Sequence, residues 1–400
     1  MSSAATTDEP VRARARVAVW VAFAAQGLGF ATVLTHLPAL KDRWGLDDLA
    51  VTAIMFCVAL LAGGGSVLAA VLAGRVGSGT TLRLALATAA VGLTVTGLAP
   101  SFVVFCVGIG VYGLALGLID ATTNMQAVAL EAEYGRSILT SFHAAWSVGG
   151  ILGALATAGA SALDLGLAPA LLPVAAVMVL VAGAPFLRAG PPAGGPAGPE
   201  GRGPATPWRS LALLGSALVL FYVADSAAAS WSSIYLSDVL LASATVAPLA
   251  YGAYQATSLG SRLVGDLVVR RRGPVTVVRS AAVVGILGLF LVIAAPAPAL
   301  AIAGFAVLGA GLAVVAPLTF AAAGRLAGPD PGRRQRIDAL VARLNQFNYL
   351  GFVLGGVVTG LISTGSGLRG GFVVPLVAVV LILPLARAFA TAATSRHDHL

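Results

Sequence analysis

Long apolar stretches alternate with short polar breaks along almost the whole chain. A helix that crosses a hydrocarbon core of about 30 Å needs about 20 such residues, and each stretch is close to that length or longer. The pattern therefore predicts transmembrane helices rather than a water-soluble core. The first six stretches lie near residues 17–38, 49–73, 82–99, 101–126, 138–161 and 166–187.

A segment rich in proline and glycine interrupts this pattern near the middle of the chain. Residues 188–210 read RAGPPAGGPAGPEGRGPATPWRS, a composition that suits neither a helix nor a packed core. We therefore expect an all-α membrane protein of twelve transmembrane helices, with an N-terminal half at residues 1–187, a cytoplasmic linker at 188–210 and a C-terminal half at 211–400. The second six apolar stretches lie near residues 211–235, 243–266, 275–295, 298–324, 339–364 and 371–390.

The two halves repeat one another in sequence. FHAAWSVGGILGA at residues 142–154 aligns without a gap with LNQFNYLGFVLGG at 344–356, and RVGSGTTLR at 75–83 aligns with RRGPVTVVR at 271–279. The first alignment places Gly149 over Gly351 and Gly153 over Gly355. Repeated halves of this kind enclose a central pathway in transporters, with the substrate site near the midplane of the bilayer.

Composition and charge support a membrane location. Hydrophobic residues make up 58% of the chain and charged residues 10%, whereas soluble domains carry about 25% charge. The net charge of +8 comes from basic residues at the ends of apolar stretches, so we expect the lipid bilayer and not nucleic acid as the partner. Glycine, with 49 residues, lets helices approach closely in lipid.

The distribution of basic residues also predicts the orientation. If the N-terminus is cytoplasmic, only Lys41, Arg43 and Arg369 of the 24 basic residues lie outside, which is the positive-inside bias. Both termini are then expected in the cytoplasm, in a multi-pass protein of the plasma membrane. The first apolar stretch is long enough to span, so we expect it to remain as a helix and not to be cleaved as a signal peptide.

The candidate enzyme and metal motifs lack the structural context that their chemistry requires. The glycines of GIGVYG at residues 108–113 fit a dinucleotide fingerprint, but they lie inside an apolar stretch without a preceding strand. The single lysine, Lys41, has no phosphate-binding loop around it, and Cys57 and Cys106 both lie in apolar stretches. We therefore expect no enzymatic activity, no cofactor and no metal.

The fourth stretch carries the strongest candidate for function. Ionisable groups at membrane depth are costly and are functional hypotheses by default. Burial favours the neutral form of an aspartate, so Asp120 is expected to take up and release a proton. The alternative is a structural acid near the cytoplasmic end of the helix, paired with Arg136 or with water. Asp120 belongs to a stripe at helical spacing formed by Gly110, Gly113, Gly117, Asp120 and Asn124.

Polar groups in four other stretches are candidate substrate ligands. Amides, imidazole and indole groups suit a polar solute, but they equally serve as hydrogen bonds between helices or, for Trp231, as part of the interfacial aromatic belt. Together with Asn124 in the fourth stretch, the candidates are Gln26, His143, Trp146, Asp225, Trp231, Asn345, Asn348 and Tyr349.

Charged residues at the cytoplasmic ends of helices are expected to act as gates. Arg262 and Asp266 are four residues apart and can pair with each other or across the cytoplasmic mouth, and Arg75 ends the second stretch. The alternative is that they only mark the edge of the membrane.

The segment at residues 117–154, GLIDATTNMQAVALEAEYGRSILTSFHAAWSVGGILGA, resembles the fourth and fifth helices of fucose permease-like members of the major facilitator superfamily. LTHLPALKDRWGLDD, WSSIYLSD and GSRLVGDLVVRRRGP are also similar, so that the resemblance covers most of the chain. It implies twelve helices, alternating access, and a role in proton coupling and substrate binding for Asp120 and Asn124.

The chain departs from that family in ways that affect the expected substrate. Fucose permeases carry a further acid in the first helix, and none lies between Arg16 and Asp42 here. Drug–proton antiporters carry an arginine in the fourth helix and a Gly-Pro pair in the fifth, and both are absent. We therefore expect a proton-coupled transporter of a small polar solute, sugar-like or an organic acid, acting as a monomer. Drug efflux by proton antiport, a channel and a membrane sensor are the alternatives.

Overall fold

The structure is a computed structural model that describes residues 4–134, 138–184, 187, 207–326 and 333–391. These residues form helices joined by short connections, and no strand occurs among them. The N-terminal helices are α1 (Ala4–Thr35), α2 (Leu37–Trp44), α3 (Asp48–Val76), α4 (Ser78–Gly97), α5 (Phe102–Tyr134), α6 (Leu139–Ala162) and α7 (Leu167–Ala182).

The second half of the chain continues the helical pattern. Gly367, with φ 68°, interrupts the longest of its helices. The C-terminal helices are α8 (Trp208–Ile234), followed by a π-helical turn (Tyr235–Val239), α9 (Leu249–Arg272), α10 (Pro274–Ala294), α11 (Pro298–Leu312), α12 (Val315–Leu326), α13 (Arg333–Gly371), α14 (Val373–Leu385) and α15 (Ala388–Thr391).

Twelve spans are consistent with these helices. Over the described residues, nine helical segments are long and apolar enough to cross a membrane, and the apolar helices α7 and α14 are shorter. The predicted tenth span is divided into α11 and α12. Pro317 explains the division, because it has no N–H to donate to the carbonyl of Ala313.

The chain forms two compact units that differ from simple halves in one segment. One unit contains Met1–His36 and Cys57–Gly201, and the other contains Leu37–Phe56 and Arg202–Leu400. Helix α2 and the first residues of α3 therefore pack with the C-terminal helices. We call these the first and the second unit.

Glycines bring helix backbones into contact inside the first unit. A Cβ atom added to Gly149 of α6 would lie 1.9 Å from the carbonyl oxygen of Ala24 in α1, and one added to Gly153 would lie 2.7 Å from that of Leu28. Neither position has room for a side chain. The two helices thus pack at the close distance that small residues permit in lipid.

The equivalent glycines of the second unit make the equivalent contacts. A Cβ atom on Gly351 of α13 would lie 2.6 Å from the carbonyl oxygen of Val219 in α8, and one on Gly355 would lie 2.3 Å from that of Val223. The repeat seen in the sequence thus corresponds to the same helix pair in both units, with the same four-residue spacing.

Candidate functional site

Asp120 is held in the first unit by a hydrogen bond between two helices. It lies on α5, half-buried, and its Oδ1 accepts a hydrogen bond from Nε2 of Gln26 on α1 at 3.3 Å. The Gln26 side chain is buried, with 5% of its surface exposed. An amide is a versatile partner for a carboxyl group, because its N–H can donate to the ionised form and its carbonyl can accept from the protonated form.

The residues after Asp120 use their polar groups on their own helix. Asn124 donates from Nδ2 to the backbone carbonyl of Asp120 at 2.8 Å, so this bond links the two residues through the backbone. The hydroxyl of Thr123 donates to the carbonyl of Ile119 at 2.8 Å and lies 3.5 Å from Oε1 of Gln26. These bonds of Asn124 and Thr123 thus involve backbone carbonyls of α5, whereas the carboxyl group of Asp120 accepts a hydrogen bond from Gln26 on α1.

The glycines of the predicted stripe serve helix packing. A Cβ atom on Gly117 would lie 1.8 Å from the carbonyl oxygen of Ala62, and one on Gly113 would lie 3.1 Å from Val58, both on α3. Close packing of α5 on α3 thus accounts for these two glycines.

His143 and Trp146 lie on α6 beside aromatic residues of α1. The ring of His143 is exposed within the unit and meets Phe23 edge-on, with ring centres 5.4 Å apart. Trp146 is half-buried and lies 5.7 Å from the ring of Phe30. The structure thus brings both predicted ligands to the side of α6 that contacts α1.

Two further polar groups of the first unit are fully enclosed. His36 is 6% exposed, and its Nδ1 lies 2.8 Å from the carbonyl of Thr32 and 3.0 Å from the hydroxyl of Thr157. The hydroxyl of Tyr112 is buried and has no hydrogen-bond partner among the described residues. Sequence reasoning did not single out Tyr112, although it lies two turns before Asp120 on the same face of α5.

Asp225 is the centre of a polar cluster in the second unit. Its Oδ1 accepts a hydrogen bond from the hydroxyl of Tyr254 on α9 at 2.5 Å. Arg262, two turns further along α9, is close enough to attract the carboxylate electrostatically. Asp225 is half-buried, whereas Tyr254 is 1% exposed. Sequence reasoning identified the acid but missed Tyr254, because the pairing joins residues on different helices.

Trp231 is enclosed in the packing of the second unit. None of its surface is exposed, and its Nε1 donates to the carbonyl of Gly356 on α13 at 2.8 Å. A Cβ atom on Gly360 would lie 2.5 Å from its ring. These contacts explain Trp231 as a packing residue, and a role in substrate binding stays a prediction.

The remaining predicted residues differ in how far their side chains are exposed to solvent. Asn348 and Tyr349 are half-buried on α13, Arg262 is half-buried on α9, and Arg75 is exposed at the end of α3. The side chains of Asn345 and Asp266 lie outside the described residues, and so does the predicted pairing of Asp266 with Arg262.

An ion triad joins α2, α3 and the π-helical turn that follows α8 in the second unit. Lys41 Nζ donates to Oδ1 of Asp48 at 2.7 Å and also to Oδ2 of Asp238. Burial lowers the pKa of the Lys41 ammonium, but hydrogen bonds and charges from Asp238 and Asp48 outweigh this, and the pKa lies above its ordinary value. The only lysine of the chain therefore stays charged at neutral pH.

The described residues do not bring three His, Cys, Asp or Glu side chains together as a metal site. The arrangement offers instead two half-buried acids, one in each unit, each with a hydrogen-bond donor from a neighbouring helix. Acids supported in this way can bind protons or polar solutes.

Long apolar helices that carry half-buried acids, each hydrogen-bonded to a neighbouring helix, are features of a polytopic membrane transporter. The model of the Major Facilitator Superfamily matches residues 19–337, and the chain belongs to this superfamily. It is similar to an uncharacterized MFS-type transporter of Yersinia pestis, with 29% identity over 384 residues that cover 93% of this chain and 95% of the relative.

Solved transporters share the fold. The nucleoside transporter NupG has a TM-score of 0.71 and 16% identity in its D323A mutant form, and the alignment covers 96% of this chain and 100% of NupG. The transporter FucP, in its outward conformation, has a TM-score of 0.62 and 15% identity, with 93% of this chain and 97% of FucP covered. The predicted resemblance to the superfamily and the all-α membrane fold are thus confirmed.

Proposed function

We propose that this protein is a proton-coupled secondary transporter of a small polar solute, in which Asp120 carries the proton. The hydrogen bond from Gln26 to Asp120 is the observation that supports this most directly. It positions an ionisable side chain on a helix that is long and apolar enough to cross the membrane. Such a group costs free energy at membrane depth and is therefore a functional candidate. The amide can serve both protonation states of the acid.

The solute is expected to contact polar groups from both units. In the first unit these are Gln26, Asn124, His143 and Trp146, which lie on α1, α5 and α6. In the second unit the predicted contacts are Asp225, Trp231, Asn345, Asn348 and Tyr349. NupG, which shares the fold, is a nucleoside transporter, and this fits a polar, hydroxyl-bearing solute. Arg75, Arg262 and Asp266 are proposed as gating residues, and the protein as a monomer of the plasma membrane with cytoplasmic termini.

Proton release from purified protein tests the proposal. Sugars, nucleosides, organic acids and antibiotics are added in turn to the protein in weakly buffered detergent while the pH is recorded. We expect one class of solute to change the pH with wild type and not with Asp120→Asn. Asp164→Asn is the matched control, because Asp164 is an exposed acid in the loop after α6.

Two outcomes contradict the proposal in different ways. A solute that stabilises the protein thermally but moves no protons excludes proton coupling and leaves the transporter in place. A response to antibiotics alone, with protons moving opposite to the drug in proteoliposomes, favours efflux over transport of a polar nutrient.

A further inference from the structure

Helix α9 is the one predicted span that is too polar for its place in the membrane. Among the described residues it belongs neither to the nine long apolar segments nor to the two shorter apolar helices. Three polar residues in its first half are nevertheless buried inside the second unit, since Tyr251, Tyr254 and Gln255 are each 1% exposed. Polar groups kept at membrane depth and away from lipid are typical of a solute pathway.

Four residues of α8 and α9 form two hydrogen-bonded pairs beside each other, which together we call the Asp225 cluster. Tyr254 donates to Oδ1 of Asp225, and Nε2 of Gln255 donates to the hydroxyl of Tyr251, both at 2.5 Å. The rings of Tyr251 and Tyr254 are stacked, with centres 6.1 Å apart and planes at 14°. The stack connects the two hydrogen bonds.

One buried polar atom of this cluster has no hydrogen-bond partner among the described residues. Oε1 of Gln255 is buried and accepts no hydrogen bond within the described part of the chain. Exchanging the oxygen and nitrogen of the amide does not remove the problem. Tyr251 would then donate to Oε1, and Nε2 would be the unpaired atom. In both orientations one end of a buried amide lacks a partner, which is destabilising unless a bound molecule supplies one.

The charges around the cluster favour an uncharged ligand. Asp225 is half-buried, and the positive charge of Arg262 acts on its carboxylate, so an arriving cation would also meet a charge of its own sign. A cation would therefore gain little. Hydroxyl groups both donate and accept, so one hydroxyl of a solute can bond to Asp225 and another to the free end of Gln255 in either amide orientation.

We propose that the Asp225 cluster is the subsite at which the second unit binds the hydroxyl groups of an uncharged polyhydroxylated solute, such as a sugar or a nucleoside. This inference rests on the proposed transport function and assigns its solute class. It adds Tyr251, Tyr254 and Gln255 to the binding residues. The solute meets the half-exposed Asp225 first and reaches the enclosed amide of Gln255 when the surrounding helices separate.

The ligand-free protein provides the first test. The double variant Tyr251→Phe/Gln255→Leu removes the hydrogen bond together with the unpaired atom, so its Tm should equal or exceed that of wild type. Tyr235→Phe is the control, because the hydroxyl of Tyr235 is buried and donates to the carbonyl of Val292 at 2.7 Å. It should lower the Tm. A Tm for the double variant as low as that of Tyr235→Phe means that the pair is only structural and overturns the inference.

Binding provides the second test. Uridine, L-fucose, lactate and choline are titrated into wild type, the double variant and Tyr235→Phe, and the rise in Tm gives the affinities. We expect a neutral polyhydroxylated solute to bind wild type and Tyr235→Phe, and to bind the double variant roughly tenfold more weakly. Equal affinity for the double variant means that a buried water alone fills the cluster, and this overturns the subsite.

The remaining outcomes separate this inference from the proposed function. Stabilisation by lactate or choline only, or by no sugar or nucleoside of a wider panel, overturns the assigned solute class. If Asp120→Asn still abolishes solute-dependent proton release while the double variant binds normally, the proposed function stands and the subsite does not.

Discussion

Among single residues, the two half-buried acids Asp120 and Asp225 each accept a hydrogen bond from a side chain on a neighbouring helix. Gln26 donates to Asp120 from α1, and Tyr254 donates to Asp225 from α9, so each carboxylate is tied to the neighbouring helix. Because each of these donors comes from a different helix, its position relative to the acid changes whenever the helices move. This is the property that a coupling residue needs.

Trp231 allows packing and binding to be separated experimentally. Trp231→Phe keeps an aromatic ring but loses the hydrogen bond to Gly356, which should lower the free energy of unfolding by about 1 kcal/mol. The Tm of the purified protein measures this effect. Trp208→Phe, at an exposed position of α8, is the control and should leave the Tm nearly unchanged. If Trp231→Phe keeps its Tm but raises the KM for solute, the indole group binds substrate instead.

At the scale of helices, close backbone contacts decide which pairs pack. Gly149 and Gly351 occupy equivalent places in the repeat, and each approaches a carbonyl oxygen of the first helix of its own half. The sequence alignment found these glycines as a repeated pattern. Their contact partners on α1 and α8 follow from the packing of the folded chain.

Two glycines of α6 form a matched pair for testing this contact. Gly149→Ala places a methyl group 1.9 Å from the carbonyl oxygen of Ala24, which forces α6 away from α1. We expect a loss of about 1–3 kcal/mol of stability, as for overpacked cores, measured as a lower Tm. Gly159→Ala, where nothing lies within 4 Å, should be neutral or slightly stabilising because alanine favours helix. Equal Tm values for both variants would contradict the close contact.

At the scale of the whole molecule, the chain divides differently from its sequence repeat. The segment Leu37–Phe56 lies in the N-terminal part of the sequence, but it packs with the second unit. Within this unit Lys41 forms ion pairs with Asp48 and Asp238. Helix α3 thus begins in one unit and continues in the other. The ion triad is an electrostatic contact that fixes its beginning.

The triad makes stability depend on pH in the alkaline range. The pKa of Lys41 is raised in the folded protein, so its contribution is fully present below the ordinary lysine pKa of about 10.4 and is lost as the pH rises through the folded value. Lys41→Met should therefore lower the free energy of unfolding by about 1 kcal/mol at pH 7 to 9, which is measured as a lower Tm. The difference in Tm from wild type should shrink above about pH 10.4.

Arg43→Met is the control for this experiment. Arg43 lies in the same helix but outside the triad, with its guanidinium over the ring of Trp44 at 4.9 Å. Its effect on the Tm should not change with pH. A constant difference between Lys41→Met and wild type up to pH 11 would show that the triad contributes nothing through the charge of Lys41.

The amino-acid sequence predicted the apolar helices, the glycine repeat, the acids Asp120 and Asp225, and a linker rich in proline and glycine at residues 188–210, most of which lies outside the described residues. Each of these depends on local properties, namely apolar length against bilayer thickness, proline and glycine content, and spacing along one helix. The tertiary structure alone decided the partners: Gln26 for Asp120, Tyr254 for Asp225, and Lys41 with Asp238. Such pairs lie far apart in sequence, and they form only once packing has fixed the rotation and depth of each helix.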